Sequence, residues 1–422
     1  TMTIAAIKKP KLALLLLHLL FLPLIYTKVN DELVVSAFTF LPQKNIHNHR
    51  YQRTTTITTS STKSASESSQ NQQEEGEQPY NNVLILDHLN INHEKGRHDY
   101  VKAFYFDFLQ CVPDPRKEEN LEKGRKTLWA NIGAHQLHLP EGKPSAQVLD
   151  GAITLVYPSL DNLVDRSKDE EIANILDDSL FHVGDVQMLE KEEGEEVKSL
   201  QVTDPWGTQF LLIQSIDVTK DKDDRGTQKN GDLSEGIALK DLTLYVPPNT
   251  NLNGIGRFYE QILGAPVLES DDDYDEAHKS NKVVISMGPK QTLTFCIHPN
   301  GKQDIRHDDM IDEPEHKQED KPHYLSNYGP HISMYISDVR STYQRIVDLG
   351  ITYVNPRFKR RAYDIDEVIN DCMFRVIDIV DPDDEGKEVI LRLEHEVRSV
   401  MKKDGSLYKS CPFVEIPEGC VI

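Results

Sequence analysis

From residue 83 onward the chain alternates between two hydrophobic rhythms. Segment 83–92 sets apolar and polar side chains in turn, the period-two pattern of a half-buried strand. Segment 98–109 then places Val101, Phe104, Tyr105 and Phe108 at i, i+3, i+4 and i+7, which is one face of a helix. Residues 127–139 return to period two in two short runs broken at Gly133. The succession restarts at 152–157, with a weak helix over 161–167 and strands over 175–182, over 186–189 with 198–203, and over 209–214. It restarts again at 238–246, where a helix over 255–263 stops at Gly264, a suitable C′ residue. The last unit opens at 331–336, and Asp338 caps a helix that ends at Gly350. Each unit reads β-α-β-β-β, there are four, and the fold class is α+β.

The units are related by an internal duplication. His88-Leu-Asn-Ile is echoed by Asp241-Leu-Thr-Leu, and Phe104-Tyr-Phe-Asp-Phe-Leu by Phe258-Tyr-Glu-Gln-Ile-Leu. Gly151-Ala-Ile-Thr-Leu matches Pro330-His-Ile-Ser-Met, and Asp204-Pro-Trp-Gly matches Asp381-Pro-Asp-Asp-Glu-Gly. The offset grows between these pairs because an acidic insertion, 300–327, precedes Tyr328. The charged, Gly-punctuated stretch 217–236 is the linker between halves 83–216 and 237–399, and 400–422 is a tail.

Four βαβββ units with Asp-Pro-x-Gly before the last strand, in a duplicated chain, resemble the vicinal oxygen chelate superfamily. Glyoxalase I, extradiol ring-cleaving dioxygenases, and fosfomycin and bleomycin resistance proteins belong to it. The resemblance covers roughly Val83 to Ser399 and implies two tandem domains of two modules each. It further implies that modules curl in pairs into cups, with metal ligands on the first and last strand of each module. At those positions module one offers His88 and either Gln136 or His138; alternation puts the last two on one face. Module two offers Ala152 and Leu211, which cannot ligate. Module three offers Asp241, with Leu293 and Phe295 on its last strand. Module four offers His331, and Glu394 as a carboxylate ligand or base. In the usual register of the family the carboxylate falls at Ile390, so Glu394 requires an insertion or bulge within 388–396.

The resemblance leaves two pairings open. Modules one and four together would assemble His88, Gln136 or His138, His331 and Glu394. Modules three and four would instead offer Asp241, His331 and Glu394. The second set imitates a two-His-one-carboxylate triad with one His replaced by Asp. The first, two imidazoles, a carboxylate and one more donor, suits Fe(II), Mn(II), Ni(II), Zn(II) or Co(II). Such an ion would act as a Lewis acid on a small oxygenated substrate in lyase, isomerase or dioxygenase chemistry. Tyr363 could donate a proton to a bound oxyanion. The basic run Arg357, Lys359, Arg360 and Arg361 reads as a solvated loop or as an anion patch at a cup mouth. By alternation His135 points outward, and His307, His316 and His323 read as solvent-exposed. A non-catalytic binding or assembly protein on the same fold is the alternative.

Composition narrows the partners. A net charge of −22 argues against nucleic acid and anionic membrane, leaving a small-molecule substrate or ligand as the partner. Whether two chains pair through sheet edges into a homodimer stays open. Five cysteines with no CxxC do not suit a disulfide framework, although Cys411 and Cys420 flank a short loop and could bridge. Cys111, Cys296 and Cys372 read as buried thiols.

The first 82 residues read as a leader. Lysines precede an apolar run from Leu12 to Ile25 that suits a signal peptide, 1–37, and is short for a spanning helix. Residues 38–82 resemble a plastid transit peptide. No Asp or Glu occurs from Phe38 to Ser66, and Ser and Thr fill 12 of the 16 positions from Thr54 to Ser69. A signal followed by Ser36-Ala-Phe resembles the bipartite plastid presequence of diatoms and related algae. The implied destination is the plastid, with a mature form not embedded in a membrane; secretion is the alternative.

Overall fold

The computed structural model describes Leu24–Val29, Glu32–Ala37 and residues 81–422, apart from 125–126, 143–144, 191–195, 223–232, 271–280 and 315–319. Leu24–Val29 and Glu32–Ala37 form an antiparallel pair. The rest of the leader, and with it the expected cleavage step after Ala37, lies outside the described residues, as does His316. Among the described residues no helix is long and apolar enough to cross a membrane.

Alternating strands and one-faced helices force the apolar side chains of each module under its helix. Two mixed sheets result, and each joins the two halves of the chain. Modules one and four share seven strands in the order Met373–Val380, Val389–Ser399, His331–Ile336, Val83–Asn90, His135–Pro140, Thr127–Ile132 and Val112–Pro113. Modules two and three share eight, in the order Val267–Glu269, Lys282–Ser286, Thr292–Ile297, Ala238–Val246, Gly151–Tyr157, Gln209–Gln214, Glu196–Thr203 and His182–Glu190. The seam of each sheet is antiparallel, between the first strands of its two modules. At the second seam Gly151 faces Leu244, and a Cβ there would lie 2.0 Å from the Thr243 carbonyl oxygen. Only glycine admits that approach.

The helices pack beneath the sheets within each half. Phe104 and Phe108 of module one meet Phe181 and Phe210 of module two edge to face. Asp204 of the Asp-Pro-Trp-Gly turn accepts from the amides of Trp206, Gly207 and Thr208 through one oxygen, while the Tyr105 hydroxyl reaches the other. In the second half, Asp381 of the matching turn takes Arg257 and Asn251 from the module-three helix. Both odd-numbered modules carry a wide-turn π-helix, Lys102–Phe108 and Phe258–Leu263, at the duplicated Phe-Tyr. Gly264 and Gly350 both adopt the left-handed conformation that ends their helices.

Four local readings are corrected. Residues 170–176 are a helix, and the strand expected over 175–182 begins only at His182. Asp169 caps that helix by accepting from the Glu171 and Ile172 amides, and Ile172 and Leu176 fall on its buried side. His135 is buried: its Nδ1 accepts from the Leu239 amide of module three, because the outer face of this strand packs against the other half. His307 is also buried, with Nε2 donating to the Tyr245 carbonyl at 2.8 Å. The acidic insertion is therefore pinned to the core where it leaves module three. All five cysteines are free thiols, and Cys296 is only partly buried.

Candidate metal centre in the cup of modules one and four

Cross-strand register brings the site together. One row across the seven-stranded sheet reads Asn131, Gln136, His88, Ser333, Glu396 and Arg375 as successive Cα partners. The adjacent row reads Trp129, His138, Asn90, His331 and Glu394. Side chains in both rows share the concave face, since alternate residues of a strand point the same way. Two irregularities shape this face. The Val83–Asn90 strand carries an extra residue at Asp87 opposite Ser333–Met334, so Asp87 and His88 both serve the cup. The Val389–Ser399 strand carries extra residues between Val389 and Leu391 and between Arg392 and His395.

At the centre His88, His331 and Glu396 converge, each offering a ligand atom within 4.8 Å of the others. His88 is 1% exposed, His331 3% and Glu396 5%. The His88 Nδ1–H donates to Asp87 at 2.8 Å, which leaves its Nε2 lone pair free for the cup. Burial lowers the pKa of His88, against the pull of Asp87, and takes that of His331 well below its ordinary value. Burial alone would raise Glu396, but the Arg375 and Arg398 guanidiniums outweigh it and hold the carboxyl well below the usual range. Neutral imidazoles beside an ionised carboxylate are the protonation states a divalent ion requires.

The other anticipated residues lie around this centre in different roles. His138 is stacked between His88, centroids 3.7 Å apart, and Trp129 at 4.5 Å. Its Nε2–H donates to Gln136 Oε1 at 3.1 Å, and the Gln136 amide in turn donates to Asp114 and Asn131. Those two side chains satisfy each other and brace the His88 ring. Glu394 is in the cup but engaged: one oxygen takes Arg375, the other takes the Asn327 and Asn355 amides, each at 2.8 Å. Tyr363 stands apart, against Lys321 and Tyr324. Asp241 sits in the other sheet, accepting from Thr243, Thr292 and Thr294.

Glu396, Asp87, Arg375 and Arg398 escaped the sequence reading. The signal for Glu396 was present, since it alternates with Glu394 and Arg398 on one face. The bulge that brings Asp87 to that face has no sequence mark.

The cup is filled by polar groups rather than open. Glu396 is clamped by Arg375 and Arg398, and Arg398 also reaches Asp87 at 3.7 Å. Phe358 covers His331 and lies 4.0 Å from the Arg375 guanidinium. The C-terminal tail packs Tyr408, Cys411 and Phe413 onto Ile85 and Tyr335 of the two central strands. A narrow crevice remains between Ser410–Pro412 and the side chains of Asp87 and Gln136.

Modules one, two and three are βαβββ; in module four the strand expected after the helix is reduced to a single bridge, Tyr353 to Arg375, so its sheet has seven strands and not eight. Four such modules, paired one with four and two with three, with imidazoles on the first strands of one cup, decide the architecture. The fold is that of the vicinal oxygen chelate superfamily. No family model matches the sequence, and no curated protein matches it. Among solved structures, a Bacillus subtilis candidate dioxygenase aligns at 12% identity and a TM-score of 0.41, over 75% of this chain and 85% of that one. Glyoxalase I from Zea mays aligns at 13% identity and 0.39, over 75% and 92%. Lactoylglutathione lyase from Agrobacterium tumefaciens aligns at 12% and 0.21, over 31% and 93%. These likenesses are loose, and the vicinal oxygen chelate assignment rests on module order and pairing.

A divalent ion fits the donor set. Two imidazoles and a carboxylate match the preferences of first-row metals. The Ser333 hydroxyl, in the row between His88 and Glu396, is buried without a hydrogen-bond partner. The local charges, Asp87, Glu394 and Glu396 against Arg375 and Arg398, leave one negative charge in excess.

Proposed function

We propose that this protein is a metal-dependent enzyme of the vicinal oxygen chelate fold, acting as a lyase, isomerase or dioxygenase on a small oxygenated substrate. His88, His331 and Glu396 would hold the ion. The observation that carries this reading is their convergence from three strands onto one buried point. When bound, the ion supplies Lewis acidity toward vicinal substrate oxygens. Asp87 fixes the His88 ring and its tautomer; His138 and Trp129 hold that ring flat by stacking. Arg375 keeps Glu396 ionised and holds both Glu394 and Glu396 in place. Glu394, freed from Asn327 and Asn355 when a substrate displaces them, is the group able to take a proton.

The test is turnover. Full-length protein stripped by chelator and reloaded with Fe(II), Mn(II), Ni(II), Zn(II) or Co(II) is assayed on α-oxoaldehyde hemithioacetals and on catechols. Metal-dependent turnover, abolished in His88→Ala and His331→Ala, supports the proposal. Stoichiometric loading with no turnover on either class favours a second reading, a metal-binding protein without catalysis. The double clamp on Glu396 favours that reading.

We further propose a plastid location, supported by the signal-like apolar run, the Ser36-Ala-Phe step and the acid-free, hydroxyl-rich segment that follows it. Residues 1–82 fused to a fluorescent protein should enter the plastid of a diatom. A fusion that is secreted would refute this.

A further inference from the structure

Buried or half-buried guanidiniums in this cup have carboxylate partners, with one exception. Arg375 holds Glu394 and Glu396, Arg398 holds Glu396, and Arg116 holds Asp114. Arg357 has no carboxylate within ion-pair distance among the described residues. A guanidinium carries five N–H donors. Here the one hydrogen bond from that group runs from Nη1 to the Asn327 carbonyl, at a long 3.4 Å. The guanidinium carbon also stands over two rings, 4.3 Å from the centroid of Tyr328 and 5.7 Å from that of Phe358.

Its neighbours place it at the centre's edge. Asn327, which touches Arg357, also donates to Glu394, and Phe358, which flanks Arg357, covers His331. Arg357 is half-buried, so its outer face reaches solvent at the rim. Charge balance points the same way. The cup's single excess negative charge is cancelled by Arg357, and a divalent ion would then leave two uncompensated positive charges. A ligand with a negative charge would offset them.

We propose that Arg357 binds the carboxylate of a small oxyacid substrate, whose other oxygens reach toward His88, His331 and Glu396 while its apolar body lies along Phe358. This deepens the metal-enzyme reading and rests on it for the second contact only. Cation–π contact with Tyr328 and Phe358 pre-orients the fork. The planar guanidinium suits bidentate carboxylate recognition.

The experiment is calorimetric binding with two probes to the full chain. Oxalate, which has vicinal oxygens, is titrated into Co(II)-loaded protein, and benzoate into metal-free protein. Wild type should bind both. Arg357→Gln should weaken both by about tenfold or more, the scale of a lost charge-assisted hydrogen bond. Arg357→Lys should keep part of the affinity, and cobalt content and thermal midpoint should match wild type in both variants. Benzoate binding that depends on Arg357 in a chain that takes no cobalt would sustain the carboxylate site and sink the metal centre. Equal affinity of wild type and Arg357→Gln for both probes would overturn the proposal, as would failure of wild type to bind either. Inorganic phosphate binding more tightly than both, with the same dependence on Arg357, would also overturn it and make the site one for phosphate.

Discussion

Side chains at the centre are chosen as much for restraint as for chemistry. Arg375 is 5% exposed and serves two buried carboxylates at once. Removing it leaves Glu394 buried with no cation among the described residues and Glu396 with Arg398 alone, so Arg375→Ala should lose about 3–5 kcal/mol in denaturant unfolding. A loss under about 1 kcal/mol would mean that water already compensates Glu394 and Glu396. His307 gives a pH signature away from the centre. Burial lowers its pKa in the folded chain, with the Tyr245 carbonyl, Asp150 and Asp308 opposing and Lys302 assisting. The unfolded chain then takes up the proton more readily than the folded one. This contribution to stability is whole above the ordinary imidazole value of 6.5 and is lost as pH falls through the lower folded value. The acid limb of stability against pH should be shallower in His307→Gln, which keeps a donor for Tyr245 but does not titrate there. Limbs of equal slope would remove His307 from the account. The imidazoles at 88, 138 and 331 were legible because the repeat points at them. The carboxylate was less so: counting from the turn glycine lands on Ile390, and allowing for one bulge leads to Glu394, whereas the strand carries two register shifts and the carboxylate between the imidazoles is Glu396.

Elements were readable where period and cap agree. The Asp338 cap, the Gly264 and Gly350 stops and the break at Gly133 all stand in the structure. Residues 170–182 misled because Ile175, Leu176 and Phe181 mimic a strand when the Asp169 cap is overlooked. The bulge at Asp87 could not have been foreseen, since it depends on pairing with a strand some 245 positions away. The module-two and module-three seam yields a prediction. Gly151→Ala forces a methyl group against the Thr243 carbonyl and should cost about 1–3 kcal/mol. Gly184→Ala, in a strand where the nearest atom to an added Cβ is 3.4 Å away, should cost less. Comparable losses for the two would show that the seam tolerates a side chain.

At the scale of the molecule the duplication does more than repeat. Pairing modules across the halves lets each sheet keep two first strands side by side, which is what brings His88 and His331 together. The sequence left the pairing open because no local pattern distinguishes one partner module from another. Nor did it show that the tail roofs the cup. Ending the chain after Lys403 removes Tyr408, Cys411 and Phe413 from Ile85 and Tyr335. Burial of one large apolar side chain contributes roughly 1.5–3 kcal/mol, so the truncated chain should lose at least about 2 kcal/mol. It should also bind a hydrophobic dye that the whole chain excludes; unchanged stability and dye binding would make the tail an ornament of the surface.

The central claim is that His88, His331 and Glu396 form one metal site. It is tested most directly by metal content after reconstitution and gentle desalting, in wild type, Glu396→Gln and Glu394→Gln. The account predicts one ion per chain in wild type, its loss in Glu396→Gln and its retention in Glu394→Gln. Wild type that retains no ion, or a Glu396→Gln chain that keeps it, would contradict the account.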